Sequence, residues 1–453
     1  MSPKNEEKRG KNELNDIQYC QNCILPGIRK TMKSYFELTP SERASLLEEL
    51  GGEYRDFCDR CLSLDLSRGK PNSEQLDISI GLMSVDLSED YRSENGFDCR
   101  NYGILDGLPE MKRFLSEVYG IPARDIVVGG NSSLQLTYQA LSTAMLFGLH
   151  GSPRPWCREE KVRWICITPG YDRHFRITER LGFELIGVPM VKGQPDMDKI
   201  ERLVKDPSVK GIWCVPKYSN PSGTTYNYDT VRRLASMECA APDFVIMWDN
   251  AYAVHDFCED GDILPDIFAE ADKYGNRDRI LYFSSTSKIT FPGGGVAFLA
   301  ASENQRACLL GALSAETIGF DKLNQLRHLR YFGTAENLRK HMLTLGKVIK
   351  KKFDIALKEL GKLKGLGIAD WYEPRGGYFI SLDVLPGTAK RVYELMLDAG
   401  VTLTTVGATH PYGIDPTDSN LRLAPTYPSD ADLALAMEAL CLCIRIAALE
   451  KIK

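Results

Sequence analysis

An α/β protein, with a large, mainly parallel sheet and a smaller α+β lobe, is the architecture this sequence predicts, and three observations predict it. Between about residues 126 and 300, short β-rich runs alternate with helical stretches, the pattern of strand-helix-strand crossovers. Those runs (Ile126-Val127-Val128, Trp164 to Ile167, Ile212 to Val215, Phe244 to Trp248, Ile280 to Phe283) are apolar throughout, as strands covered on both faces must be. From about residue 335 the pattern changes to a long amphipathic helix through Leu363, then β-rich runs at Tyr378-Phe379-Ile380 and Leu421-Arg422-Leu423.

Taken in order, residues 1 to about 35 are polar and rich in Lys, Glu and Asn, which reads as an extension with no core of its own. Thr39-Pro40-Ser41-Glu42 has the form of a capping box with proline in the first turn, so a helix is expected near 40–61. Leu64-Asp65-Leu66-Ser67-Arg68-Gly69-Lys70-Pro71 is a short extended run broken by Gly and Pro. A helical segment follows Gly107-Leu108-Pro109-Glu110. The expected division is an extension at 1–35, a helix and arm at 36–75 packing on the small lobe, a large domain at 76–330 and a small C-terminal domain at 331–453.

A chain of 453 residues can bury a sizeable core in two lobes. Its 26% of charged residues and net charge of -5 give no overall attraction to nucleic acid or anionic lipid, so neither is an expected partner. The polar start has no apolar signal core and no later stretch has the length to span a bilayer, so a soluble, cytoplasmic protein is expected. Thirteen cysteines, an odd number lying partly inside apolar runs, read as reduced core residues in a reducing compartment. The pairs Cys20/Cys23 and Cys58/Cys61 could supply four thiolates to zinc, but Cys58 and Cys61 fall near the end of a helix as ordinary neighbours, and no metal is expected.

Polar residues stand just after the apolar runs. In open α/β sheets ligands bind beyond the carboxyl ends of the strands, so Asn131, Tyr171, Asn220, Asp249 and Lys288 could converge on one crevice. Lys288 ends Phe283-Ser284-Ser285-Thr286-Ser287-Lys288. A lysine so placed can bond covalently to the aldehyde of pyridoxal phosphate while hydroxyls hold the phosphate; alone, the motif reads better as a solvated turn. Gly129-Gly130-Asn131-Ser132-Ser133 precedes a helical pattern, where backbone N–H groups suit an anion or simply make an N-capping turn. Asp249 follows a fully apolar strand, where a carboxylate needs a partner to stay charged. A protonated pyridine nitrogen would serve, and Tyr252 or an amide of Tyr218-Ser219-Asn220-Pro221-Ser222-Gly223 could donate to the ring's phenolic oxygen. A capping Asp is the plainer alternative.

The Asn-Pro-Ser-Gly turn, the Asp-x-x-Tyr after a strand and the serine-flanked lysine, in this order, resemble a class I/II aminotransferase, a pyridoxal-phosphate enzyme of fold type I, over roughly residues 40 to 450. Leu66-Ser67-Arg68-Gly69-Lys70-Pro71, Pro169-Gly170-Tyr171-Asp172-Arg173-His174-Phe175 and Trp248-Asp249-Asn250-Ala251-Tyr252-Ala253-Val254-His255 resemble the bacterial aspartate aminotransferase subgroup Ic. The resemblance implies a mainly parallel sheet of the seven-stranded type, and pyridoxal 5'-phosphate as cofactor. It implies Lys288 as the Schiff-base lysine and proton carrier, Asp249 on the pyridine nitrogen, Asn220 and Tyr252 on the phenolate and Tyr171 on the ring face. It implies phosphate contacts from Asn131, Ser132, Ser133, Ser285 and Ser287. Tyr102 matches the tyrosine that reaches the neighbouring subunit's phosphate, which implies a homodimer with shared sites, though a packed turn aromatic is its plainer reading. Arg422 matches the arginine that grips the substrate α-carboxylate, with Gly69 and Asn220 beside the substrate. Amino-acid and 2-oxo-acid substrates follow, with aspartate and 2-oxoglutarate expected. A β-lyase, an aminotransferase of another amino acid, or a ligand or metal sensor on the same scaffold are the alternatives.

Two features depart from the family pattern. A phosphate-binding arginine is usual eight residues after the lysine, where this chain has Val296; Gly293, Gly294 and Gly295 stand there, so their amides are the expected substitute. No cation stands out for a second substrate carboxylate; Arg375, Arg327 and Lys217 are the candidates. His174 and His255 fall in matching motifs, where a hydrogen-bonded structural role is at least as well founded as a catalytic one.

Overall fold

The computed structural model describes residues 33–452. Its strands, in chain order, are β1 (Leu64–Asp65), β2 (Ile126–Val128), β3 (Arg163–Thr168), β4 (Glu184–Val191), β5 (Gln194–Pro195), β6 (Val209–Cys214), β7 (Val245–Asp249), β8 (Ile280–Ser285), β9 (Ala297–Ala301), β10 (Ala369–Trp371), β11 (Ile380–Val384), β12 (Val401–Thr402) and β13 (Asn420–Leu423). The large sheet is eight-stranded in the order β2-β9-β8-β7-β6-β3-β4-β5. β8, β7, β6, β3 and β4 run parallel, β9 lies antiparallel between β2 and β8, and the two-residue β5 folds back on the edge of β4. The seven-stranded type of sheet is therefore present, with β5 as a short addition.

Period-two alternation divides the strand side chains between two cores. Trp164 and Cys166 join Val127, Trp213, Met247 and Phe283 on one face. Ile165 and Ile167 join Ile212, Ile246, Trp248 and Tyr282 on the other. Val215, expected within a strand, falls outside β6; it precedes Pro216, which has no N–H for the ladder. β4 and β9 were not expected.

The smaller lobe is the antiparallel sheet β10-β11-β13 covered by the helices Ala335–Leu360, Ala389–Asp398 and Asp430–Lys451. The N-terminal helix Pro40–Cys58 opens with a complete capping box, Thr39 Oγ1 accepting from the Glu42 amide at 3.2 Å and Glu42 Oε2 from the Thr39 amide at 2.7 Å. It is tied to the smaller lobe by Tyr54 Oη, which donates to the Leu395 carbonyl at 2.8 Å, and by the pairing of β1 with β12. The helix stops at Cys58, short of the expected 61, and Cys61 is exposed with φ +51°. Cys20 and Cys23 lie outside the described residues. Among the described residues no group of three or more His, Cys, Asp or Glu is placed to hold a metal, and no helix is long and apolar enough to cross a membrane.

Candidate active site

The parallel strands present their carboxyl ends along one edge, and the polar residues cluster there. Asp249 is the last residue of β7 and is 5% exposed. Its Oδ2 lies 2.9 Å from Nε2 of His174, and the imidazole is stacked on the Trp213 indole, centroids 4.2 Å apart and planes 9° from parallel. With Nε2 as donor, this histidine holds one carboxylate oxygen and fixes its plane. The other, Oδ1, is buried with no donor among the described residues, as is Oδ1 of Asn220. Buried acceptors without a donor cost about 1–3 kcal/mol each, so these atoms mark where a donor-bearing ligand is stabilised.

Ser132, Ser133, Tyr171, Asn220, Asp249, Tyr252, Ser285, Ser287 and Lys288 line one cavity of about 160 Å³, closed by Leu134, Val215 and Ala251. The Tyr252 hydroxyl is held far above the usual tyrosine range, first by burial and then by the Asp249 charge, so it stays a proton donor. Burial likewise pushes Tyr171 up to about 12, against the pull of Lys288. Lys288 Nζ lies 5.0 Å from the Tyr252 ring centroid and 5.7 Å from that of Tyr378. Behind it, His255 Nε2 is 3.3 Å from the Lys288 carbonyl, and burial, then the lysine charge, lowers this imidazole to about 3, so it is neutral.

At the other end, Ser132 is the N-cap of the helix Ser133–Phe147, yet its side chain caps nothing. The hydroxyl and the first-turn amides are thus available to an anion, supported by the helix dipole. Ser285 Oγ donates to Ser287 Oγ at 3.1 Å, and Ser287 Oγ to the Asn131 carbonyl at 2.8 Å. A buried carboxylate with an unmet oxygen, proton donors beside it, a lysine amine and a serine-lined helix terminus together complement pyridoxal phosphate: ring nitrogen, phenolic oxygen, aldehyde and phosphate.

The remaining expected residues lie outside this cavity lining. Asn131 is exposed, with its side-chain amide 3.4 Å from the carbonyls of Pro292 and Gly293, so it braces the glycine loop. Tyr102 is 78% exposed on this chain. Arg422, on β13, points at Asp172 beside Tyr171, and Gly69 is pressed against Phe379. The triple-glycine amides do not line the cavity either: the Gly294 N–H is donated to Phe291, and the carbonyls of Gly294 and Gly295 accept from Asn324. Of the cations considered for a second carboxylate, Arg375 is paired with Asp260 at 2.8 Å and Lys217 with Asp256 at 2.8 Å; Arg327 is half-buried on the helix Lys322–Phe332. None of the three is in the cavity lining. His174 and His255 are the residues that motif reading left undecided; the first is hydrogen-bonded to Asp249 and the second faces the Lys288 carbonyl.

Fold and cavity together define the scaffold of a fold type I pyridoxal-phosphate enzyme, and comparison with known proteins agrees. The crystal structure of an aspartate transaminase of Corynebacterium glutamicum superposes with a TM-score of 0.91 at 43% identity, covering 93% of this chain and 99% of that one. An aspartate aminotransferase of the same species is 45% identical over 412 residues, 90% of this chain and 95% of its own. The α-aminoadipate aminotransferase of Thermus thermophilus, complexed with N-(5'-phosphopyridoxyl)-L-leucine, shares the fold with a TM-score of 0.70 at 20% identity, over 89% of this chain and 98% of that one. The sequence model of the aspartate amino-transferase family matches residues 38–453. The chain belongs to this family of fold type I, pyridoxal-phosphate-dependent aminotransferases.

Proposed function

We propose that the protein is a cytoplasmic homodimer that transfers the amino group of aspartate, or a similar acidic amino acid, to 2-oxoglutarate by a ping-pong mechanism. The observation that carries this reading is the unmet Oδ1 of Asp249 in the same cavity as the Lys288 amine. The 45% identity to the Corynebacterium glutamicum aspartate aminotransferase supports aspartate as the amino donor.

When bound, pyridoxal phosphate supplies an electron-accepting ring that holds the amino group between the two half-reactions. Asp249, fixed by His174, would stabilise positive charge at the ring nitrogen. Asn220 and Tyr252 would donate to the phenolic oxygen, and Tyr171 would cover one ring face. Ser132, Ser133, Ser285 and Ser287 would bind the phosphate, with Asn131 shaping the loop. Lys288 would hold the cofactor's aldehyde covalently and would carry the proton at the substrate α-carbon. Arg422 grips the α-carboxylate with two parallel hydrogen bonds, and Gly69 keeps the Phe379 ring beneath it.

The dimer accounts for Tyr102, exposed on its own chain and assigned to the partner's phosphate. Leu146 and Phe147, 60% and 69% exposed near the end of the helix Ser133–Phe147, form an apolar patch of the kind that a second copy would cover. All eleven cysteines among the described residues are free, which supports a reducing compartment. Steady-state kinetics with aspartate and 2-oxoglutarate should give parallel double-reciprocal lines. Pyruvate and ammonia released without an oxo-acid acceptor would replace this reading with a β-lyase.

A further inference from the structure

The Arg422 guanidinium already has an anion inside this chain. Its Nη1 lies 2.6 Å from Oδ1 of Asp172, the first residue of the helix Asp172–Arg180 and the immediate neighbour of Tyr171. The Arg422 side chain is 9% exposed and that of Asp172 31%. Nε is 3.4 Å from Thr404 Oγ1, and the guanidinium sits 5.4 Å from the Phe379 ring centroid. A carboxylate is held in parallel along one of two edges of a guanidinium, Nε with Nη2 or Nη1 with Nη2. Each edge has one member engaged, so a substrate carboxylate must displace a resident partner.

We propose that Asp172 is a positioning residue whose carboxylate occupies Arg422 in the resting site and is displaced by the substrate α-carboxylate. This rests on the reading of Arg422 given above. A buried, unpaired cation is costly, and Asp172 neutralises it between turnovers. Asp172 is the partner that yields: its side chain is 31% exposed and ends in water when released, whereas the Thr404 hydroxyl is also held by the Ser67 carbonyl, to which it donates at 3.3 Å. Substrate binding at Arg422 is then an exchange of one carboxylate for another. Affinity for every carboxylate ligand is set by the difference between two similar ion pairs.

The test uses holoenzyme carrying Asp172→Asn, Asp172→Ser or Arg422→Gln, with ligand binding followed by the visible absorbance of the bound cofactor. Succinate is the non-reacting carboxylate probe, and propylamine is the probe without a carboxylate. Both Asp172 variants should tighten succinate by about tenfold and leave propylamine unchanged. Arg422→Gln should weaken succinate strongly. If Arg422→Gln weakens succinate while the Asp172 variants leave it unchanged or weaken it, the exchange is overturned and Arg422 keeps its role. If Arg422→Gln leaves succinate unchanged, the carboxylate reading of Arg422 falls, and the exchange with it.

Discussion

Gly69 and Phe379 approach so closely that a Cβ at position 69 would stand 2.0 Å from Cζ of the ring. The same ring lies under the Arg422 guanidinium, so the glycine sets the height of the floor on which that cation rests. Gly69→Ala should cost about 1–3 kcal/mol by overpacking and should raise KM for amino-acid and oxo-acid substrates together. Denaturant unfolding and steady-state kinetics check this; a variant with unchanged stability and KM would mean that the ring moves aside freely.

His174 leaves Asp249 one satisfied oxygen. His174→Leu removes that donor from a buried carboxylate and should cost about 1–3 kcal/mol in the apoprotein. It should also weaken cofactor retention, because the carboxylate loses its fixed plane. Unfolding of the apoprotein and dialysis of the holoprotein against phosphate buffer measure the two effects separately.

Lys288→Ala should lower kcat by at least about 10²–10⁴, the usual worth of a positioned proton carrier. Borohydride reduction of the wild-type holoprotein should leave the cofactor attached to the peptide containing Lys288, and the variant should carry no such tag. A tag mapped to another lysine would contradict the assignment.

Burial lowers the His328 imidazole to about 4 from an ordinary value of 6.5, against the opposing hydrogen bond to the Asn324 carbonyl. The folded state therefore binds fewer protons than the unfolded state between those values. The corresponding stability is complete above pH 6.5 and is lost as pH falls toward 4. Burial lowers His255, His341 and His410 in the same direction. The midpoint of thermal unfolding should drop between pH 7 and 5, and less steeply in His328→Gln. Equal slopes in the two proteins would refute the contribution of this residue.

Of the parallel strands, β3, β6, β7 and β8 were legible because each contains an uninterrupted apolar run, and β7 also announced its end with Asp249. β9 was not, since Ala297-Phe298-Leu299-Ala300-Ala301 lacks the β-branched residues that mark a strand; its place between β2 and β8 comes from tertiary pairing. β4 was masked by Gly187 and Pro189 within it. In the cavity, residues on short motifs beside strand ends could be read. Val215, Ala251 and Leu134 could not, being apolar walls with no chemistry to announce them. The pair of Asp172 with Arg422 joins positions 250 residues apart and exists only through the packing of two lobes.

Arg422 is carried by the three-stranded sheet, whereas Lys288, Asp249 and Tyr171 hang from the eight-stranded one. On the proposed binding mode, a ligand held at both ends would act as a calliper between the two sheets, its length read as their spacing. Substitutions where the lobes adjoin, remote from any atom of the ligand, would retune which chain lengths are accepted.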